Sequence, residues 1–313
     1  MSRNNQAGGL LFAGLFLFVL SGCVSSLHEN PQPSLEQQQV SLKNVPFYPQ
    51  ERYQCGPASL AMVLGWSGIA VQPDELVQEV FSPEQHGSLQ PDLISAVRRH
   101  GRIAYPVSGM NTLTAELAAG HPVIVLLNLG FFWYPKWHYA VVVGYDKPAG
   151  EIILHSGINE NERLSFRVFN NLWSRSEKWG LLVLPPSQFP AEVQKDTWLE
   201  AVIGLERAKQ WPAAITAYEM ATTLWPESYN AWIGLGNSRY AVGDLAGAAS
   251  AFRHASRINQ ENGIAFNNLA QVLWEMDQPE EALAAARQAI IIGGPLLEKF
   301  KHTFYEIEAR PKR

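Results

Sequence analysis

The sequence predicts two unlike folding units, an α+β domain followed by an all-α array of repeated helices. Two observations predict this division. Between residues 45 and 187, short runs of β-branched and aliphatic residues are bounded by Gly, Pro or Asp, which is typical of strands. Beyond residue 195 the chain instead repeats itself every 34 residues.

The first 22 residues have the pattern of a secretory signal. Arg3 precedes an apolar run over residues 9–20, which is too short for a comfortable membrane span. The run closes with Leu20-Ser21-Gly22-Cys23, which resembles the lipobox of bacterial lipoproteins. That resemblance implies cleavage before Cys23 and acylation of its thiol and amine, which would hold the protein on a membrane. The alternative is an ordinary signal peptide with an incidental cysteine.

The residues after Cys23 indicate where the anchored protein would lie. Val24 is not acidic, which resembles the sorting pattern for an outer membrane, with the protein facing the periplasm. Residues 23–44 open with a polar, Pro- and Gln-rich stretch, for which we predict a flexible tether.

Composition excludes some functions. The formal net charge of -5 argues against a nucleic-acid partner, because binding to phosphates requires clustered Lys and Arg. The chain has two cysteines, so acylation of Cys23 would leave Cys55 without a disulfide partner. An unpaired thiol in an exported protein is either reactive or a small buried hydrophobic group.

The first unit has helices early and strands later. Helices are predicted at Asp74–Val80 and Gln90–Val97. The expected strands form an antiparallel sheet and cover residues 123–128, 139–145, 151–154 and 180–184. This unit is expected to span residues 45–187.

The 34-residue period is the length of a tetratricopeptide repeat. Three units cover residues 195–297, and residues 298–313 are expected to form a capping helix and tail. Aromatic residues share one repeat position, and alanines share two others. The first set is Trp198, Trp232 and Phe266; the alanines are Ala214, Ala248 and Ala282, then Ala221, Ala255 and Ala289. We read these residues as core packing, and the repeat surface as a site for a protein partner.

Cys55 is the candidate nucleophile. Pro57 is expected to open an apolar helix, because the missing N–H of proline costs nothing in the first turn. Cys55 would then lie at the positive end of that helix, which favours a thiolate, and free N–H groups nearby could bind an oxyanion. Gly56 would let the backbone approach a substrate.

His138 is the candidate base. It leads directly into a buried strand, so it is expected at the end of the sheet, where a helix N-terminus can meet it. A metal site formed by Cys55, His138 and His155 is the weaker alternative, since the chain has neither a CxxC nor an HExxH motif. We therefore expect no metal and no other cofactor.

Three segments carry a family resemblance: residues 45–50, Gln54-Cys55-Gly56-Pro57-Ala58-Ser59-Leu60-Ala61-Met62, and residues 138–145. Together they resemble the bacteriocin-processing, double-glycine peptidases. The resemblance implies an α+β papain-like N-terminal domain, followed here by an all-α tetratricopeptide solenoid. It makes Cys55 the nucleophile, His138 the general base and Gln50 the oxyanion donor, with Gln54 as a competing candidate.

The third catalytic position departs from that family. Its members place an Asp-Pro pair at the end of the strand after the histidine, whereas here the strand ends in Leu154-His155-Ser156-Gly157. Ser156, or alternatively Asn159, is expected to orient the imidazole by hydrogen bonding. Asp146 is expected to be a turn former.

An aromatic segment lies just before His138. Residues 131–137 include five aromatic side chains. Such a segment lines a substrate groove or partner contact, or it packs onto its own domain.

The sequence therefore predicts a lipid-anchored envelope cysteine peptidase, with a repeat module that recruits a protein partner or substrate. The main alternative is an inactive scaffold that binds peptides and assembles envelope proteins. An amidase or transglutaminase acting on cell-wall peptides would use the same residues.

Overall fold

The computed structural model describes residues 37–50 and 54–309. The predicted signal, the acylation position Cys23 and most of the tether therefore lie outside the described residues. Within the described ranges, no helix combines the length and apolarity needed to cross a bilayer.

The N-terminal domain is built on an antiparallel sheet flanked by helices. Its sheet strands are β1 (Gln39–Ser41), β4 (Ile103–Val107), β5 (Val123–Asn128), β6 (Trp137–Asp146), β7 (Glu151–Ser156), β8 (Asn159–Ser165) and β9 (Gly180–Leu184). Two short strands, β2 (Phe81–Ser82) and β3 (Gly87–Ser88), form a separate hairpin. The helices are α1 (Cys55–Trp66), α2 (Pro73–Val80), α3 (Gln90–Arg99), α4 (Met110–Ala118) and α5 (Phe166–Trp173).

The seven-stranded sheet has the order β4-β9-β5-β6-β7-β8, and β1 pairs with the end of β6 beyond β5. The four predicted strands are confirmed as β5, β6, β7 and β9. Strands and helices interleave more than expected, because the prediction missed β4 and α4, and also β8 and α5. Strand β8 reads Asn-Glu-Asn-Glu-Arg-Leu-Ser and is mostly exposed, so it lacks the apolar pattern of a buried strand.

The sheet separates two hydrophobic cores. Helices α1, α2 and α3 cover one face and bury residues such as Leu60, Leu93 and Val141. Helices α4 and α5 lie on the other face with Leu113 and Phe169 in the core. Because β6 alternates between these cores, its neighbouring side chains point to opposite faces.

The C-terminal half is entirely helical. Its helices are α6 (Lys195–Arg207), α7 (Trp211–Leu224), α8 (Tyr229–Ala241), α9 (Leu245–Ile258), α10 (Gly263–Glu275), α11 (Pro279–Ile292) and α12 (Leu297–Ala309). Successive helices pair as three hairpins followed by a single helix, as the 34-residue period predicts. The alanines at the repeat positions are fully buried, since small side chains let paired helices approach.

The first repeat and the start of the second share a core with the sheet. Trp198, Tyr218 and Leu235 belong to the same buried cluster as Val107 and Leu182 of the sheet. All the described residues accordingly fall in a single compact unit.

Polar contacts also join the two halves. The connecting segment is held by the buried Glu116 carboxylate, which accepts from the Ala191 N–H and contacts His121 at 2.7 Å. The Tyr105 hydroxyl accepts from the Gln194 N–H at 3.0 Å, just before α6 begins. These contacts fix the start of the repeat array on the N-terminal domain.

Candidate active site

Cys55 is the first residue of α1, so the predicted position of the thiol at a helix N-terminus is confirmed. The helix begins two residues earlier than expected, and Pro57 is its third residue. Pro57 is tolerated there because the first N–H groups of a helix have no partner within it. The first intrahelical bond runs from the Ala58 N–H to the Gln54 carbonyl.

The Cys55 sulfur lies against the backbone of β6. The Tyr139 N–H lies close enough to the thiol to lower its pKa, and Tyr139 directly follows His138. The N–H groups of a strand point sideways in the plane of the sheet. The sulfur therefore lies beside the strand and borders both faces, although Tyr139 points toward α1 and His138 toward the opposite face.

No strand pairs with β6 beside Tyr139, because β7 leaves the sheet before it reaches this residue. The last aligned pair of β6 and β7 is Val141 with His155, and β7 ends at Ser156. Gly157 then turns away with a φ of +58°, a conformation that favours glycine. Cys55 and Gln50 occupy the space that a longer β7 would fill.

Gln50 links this turn to α1. Its side-chain oxygen accepts from the Gly157 N–H at 3.1 Å. Its NH₂ group donates to the Ser59 hydroxyl at 3.3 Å and to the Tyr139 carbonyl at 3.4 Å. Both donor distances exceed the usual range for N–H···O bonds, so they hold the amide weakly. Gln50 thus lies beside the nucleophile with an exchangeable donor group.

His138 is bonded to Ser156 and not to the thiol. The distance from its Nε2 to the Ser156 hydroxyl is 3.1 Å. Among the described residues, no acid contacts this ring. Catalytic hydrogen bonds are often long before substrate binds. The lack of a thiol–imidazole bond in the free protein is therefore compatible with His138 acting as the base for Cys55.

Other candidates lie elsewhere. Asn159 is exposed at the start of β8, and Asp146 lies at the far end of β6, where it accepts from the Ala149 N–H. His155 is buried against Phe47 on the α1 side of the sheet, and its Nδ1 accepts from the Asn161 N–H. Within the described ranges, no three His, Cys, Asp or Glu side chains are grouped so that they could hold a metal ion.

Burial controls the charge state of the nucleophile. It raises the pKa of the Cys55 thiol above its ordinary value, and the backbone N–H groups of Tyr139, Gly56 and Cys55 oppose this only in part. The helix N-terminus was expected to favour a thiolate. In the structure desolvation exceeds that effect, and the resting thiol is protonated at neutral pH.

Burial also keeps the base neutral. Desolvation, with a smaller contribution from the positive charge of Lys136, lowers the pKa of His138 to about 4. The imidazole is therefore uncharged at neutral pH. The resting pair is a thiol with a neutral imidazole, in which His138 keeps a free lone pair for a proton.

Ser88 is a neighbour of the site that the sequence analysis missed. A Cβ added to Gly56 would lie 2.1 Å from the Ser88 hydroxyl oxygen, so the glycine makes room for this serine rather than for a substrate. That oxygen is buried and has no hydrogen-bond partner among the residues that the structure describes. The Ser88 carbonyl accepts from the Tyr139 hydroxyl at 3.2 Å. No motif marks Ser88, because its contact with Gly56 arises only when β3 packs on α1.

The aromatic segment before His138 does not pack onto its own domain. Phe132 is 93% exposed, and Phe131, Trp133, Tyr134 and Trp137 are all at least half exposed. The exposure of these side chains favours a contact with another molecule over packing onto the chain's own domain.

Comparisons with known proteins agree with the two-part fold. The model of the Peptidase_C39 like family matches residues 42–180. A tetratricopeptide repeat model matches residues 199–262 and 233–295. The chain is therefore a peptidase C39-like domain followed by tetratricopeptide repeats. No curated protein matches the chain.

Solved structures resemble each half separately. A C39-like peptidase from Bacillus anthracis is 18% identical with a TM-score of 0.41, over 47% of this chain and 98% of that one. The Yersinia enterocolitica type III secretion chaperone SycD, in complex with a peptide of the translocator YopD, is 13% identical with a TM-score of 0.35, over 36% and 92%. The TPR2B domain of yeast Sti1 is 13% identical with a TM-score of 0.36, over 37% and 98%.

Proposed function

We propose that this chain, in which a peptidase C39-like domain precedes tetratricopeptide repeats, is a cysteine peptidase of the cell envelope. The observation that carries the proposal is the position of Cys55 at the start of α1, with its thiol beside the Tyr139 N–H of β6. It brings the thiol to the strand residue next to His138, whose imidazole is bonded to Ser156.

The reaction begins from the neutral pair. With the ring hydrogen on Nε2 and donated to Ser156, His138 Nδ1 keeps its lone pair and takes the thiol proton as the Cys55 sulfur attacks the amide carbonyl. The carbonyl oxygen becomes an oxyanion. Gln50 Nε2 supports it by exchanging its long bonds to Ser59 and Tyr139 for a charge-assisted one, together with the Cys55 N–H.

The intermediate then collapses. The amine leaves with the proton held by His138, and a thioester remains on Cys55. Water, deprotonated by the neutral imidazole, hydrolyses the thioester and restores the thiol. Ser156 acts as a positioning residue, because it fixes the tautomer and orientation of the ring without carrying a charge.

A thiol-directed alkylating probe tests this mechanism. We expect the rate of Cys55 labelling to rise with pH through about 4, where His138 loses its proton, and then to stay level across neutral pH. His138→Ala should abolish the level region, and Cys55→Ala gives the background. A rate that His138→Ala leaves unchanged, and that rises only near the raised thiol pKa, would contradict a peptidase.

The raised thiol pKa and the neutral Ser156 favour a second candidate, an inactive scaffold that binds an extended peptide. A neutral orienter stabilises an imidazolium less than a carboxylate does. This candidate predicts that a peptide protects Cys55 from alkylation and is recovered uncut. Cleavage of the same peptide that requires Cys55 would exclude it.

The repeats are proposed to recruit the substrate or a protein partner. Polar side chains of α8 and α10 meet in two pairs, in which Asn268 donates to Asn237 and Gln271 to Tyr240. Amides supply both donors and acceptors for the backbone of a bound chain. Asn237→Ala with Gln271→Ala should raise KM for an intact protein substrate and leave that for a short peptide unchanged. Equal effects on both substrates would refute recruitment.

Membrane anchoring through Cys23 is proposed from the lipobox-like sequence alone. Mass spectrometry of the mature N-terminus checks it, with an acylated Cys23 as the expected result. In cells, Cys23→Ala should release the chain from the outer-membrane fraction. Cleavage elsewhere, with an unmodified thiol, would leave only the ordinary signal peptide.

A further inference from the structure

The segment from Leu129 to Trp137 is an ordered hairpin that extends β5 and β6. The Leu129 N–H donates to the Lys136 carbonyl at 2.9 Å, and Phe131 and Tyr134 exchange backbone hydrogen bonds at 3.1 and 3.2 Å. At its base, the Asn128 side-chain oxygen accepts from two backbone N–H groups of the hairpin, and the Arg175 guanidinium donates to the Gly130 carbonyl.

This ordered backbone presents apolar side chains to water. Phe132, at the tip, is 93% exposed, and Trp133 beside it is 78% exposed. The Trp133 ring stacks on Phe131 with an interplanar angle of 4°, so the tip has a preformed shape. Holding several aromatic groups in solvent is unfavourable, and a fixed presentation favours binding to an apolar partner.

The shape and charge of the hairpin fit a lipid surface. It is a projection, whereas small-molecule sites are concave and peptides dock in grooves or along sheet edges. Trp and Tyr, with an apolar body and a polar edge, concentrate at the interface between lipid and water. Residues 129–137 include no acid, and Lys136 and the neighbouring Arg175 are basic, which complements anionic headgroups.

The reach of the chain is compatible with a membrane at this end of the sheet. The described chain starts next to Tyr145, whose hydroxyl donates to the Gln37 carbonyl at 3.0 Å. From Tyr145 to Tyr134, along β6 and the second arm of the hairpin, an extended backbone covers at most about 36 Å. The fourteen steps from Cys23 to Gln37 span at most about 46–50 Å when extended. An acyl anchor at Cys23 would therefore allow the hairpin tip to meet the same bilayer.

We propose that the hairpin of residues 129–137 inserts its aromatic tip into the interface of an anionic lipid bilayer and holds the Cys55–His138 site at the membrane surface. The reach argument rests on the proposed anchor, but binding by the hairpin does not. The test therefore uses the chain from residue 24 onward, which retains the complete compact unit and carries no acyl group.

Flotation with vesicles measures this binding. We expect the chain to float with vesicles of phosphatidylethanolamine and phosphatidylglycerol at three to one, and less with phosphatidylcholine alone. Phe132→Ser with Trp133→Ser should weaken binding by roughly tenfold for each side chain withdrawn from lipid. Ile291→Ser with Tyr305→Ser is the matched control, because it removes two exposed apolar side chains from the repeat half. The control should bind like the parent.

Two results would overturn the proposal. One is that the parent chain fails to float with anionic vesicles. The other is that the hairpin variant floats as well as the parent but loses cleavage or binding of a soluble peptide, which would make the hairpin a peptide contact. Melting temperatures of both variants equal to that of the parent would show that neither has lost its fold. If the parent chain shows no labelling of Cys55 that depends on His138 but still floats with vesicles, the peptidase proposal fails and the membrane proposal stands.

Discussion

Restoring a carboxylate beside His138 should strengthen the base. In Ser156→Asp the new carboxylate replaces a hydroxyl that lies 3.1 Å from the imidazole Nε2. An opposite charge this close raises the pKa of a histidine by about 1–3 units, or about 1.4–4 kcal/mol. The pKa of His138 should therefore rise from about 4 to between about 5 and 7.

Titration by NMR measures that shift directly. The imidazole C–H signal of His138 is identified by its absence from His138→Gln, and its pH midpoint is compared in the parent and in Ser156→Asp. The low-pH rise of Cys55 labelling should move upward by the same amount. The labelling rate above that rise should increase, because a stronger base removes the thiol proton faster.

The same substitution should change stability against pH. An unfolded chain binds a proton at His138 below about pH 6.5, whereas the folded parent does so only near 4. The free energy of unfolding of the parent should thus decrease as the pH falls from 6.5 toward 4, and the decrease should be smaller in Ser156→Asp. Urea titrations at several pH values measure both.

Ser156→Asn is the control, since it is nearly isosteric with the aspartate but uncharged. It should leave the pKa of His138 close to that of the parent. Equal midpoints for the Asp and Asn variants would refute the reasoning, because they would mean that the residue at position 156 does not act on the ring.

Three further substitutions test the packing. Gly56→Ala places its Cβ 2.1 Å from the Ser88 oxygen and should lower the free energy of unfolding in urea by about 1–3 kcal/mol. Adding Ser88→Gly should restore it, and no recovery would mean that another contact is limiting. Glu116→Ala leaves buried donors unpaired and should cost about 2–4 kcal/mol, against no loss if water replaces the carboxylate. Trp198→Ala empties part of the shared core and should lower the free energy of unfolding by about 3–5 kcal/mol. Near- and far-ultraviolet circular dichroism should follow one common transition, whereas two separate transitions would show that the halves unfold independently.

Local patterns predicted the elements that carry the candidate site. The apolar spacing after Cys55 indicated α1, the buried run after His138 indicated β6, and the 34-residue period indicated the helical pairs. Each of these signals is contained in neighbouring residues, where helix and strand periodicities act directly.

Effects of distant packing could not be predicted in this way. The raised pKa of Cys55 depends on the side chains that cover it, and the position of Ser88 over Gly56 depends on β3 meeting α1. The sequence also divided the chain into two units at the linker, whereas Trp198 belongs to a core shared with the sheet. Such contacts join residues far apart in the chain, so no local period reports them.

The shared core has a consequence for how a bound polypeptide would be presented. Since Trp198 and Tyr218 are packed with the sheet, the repeats keep a fixed position relative to Cys55 and do not move about a hinge. For a polypeptide bound along the repeats, the distance from its binding site to the Cys55 sulfur is then constant. If the domain cleaves such a polypeptide, as proposed, this distance selects the bond that is cut by its number of residues from the bound segment. The residues around that bond would then need little sequence specificity.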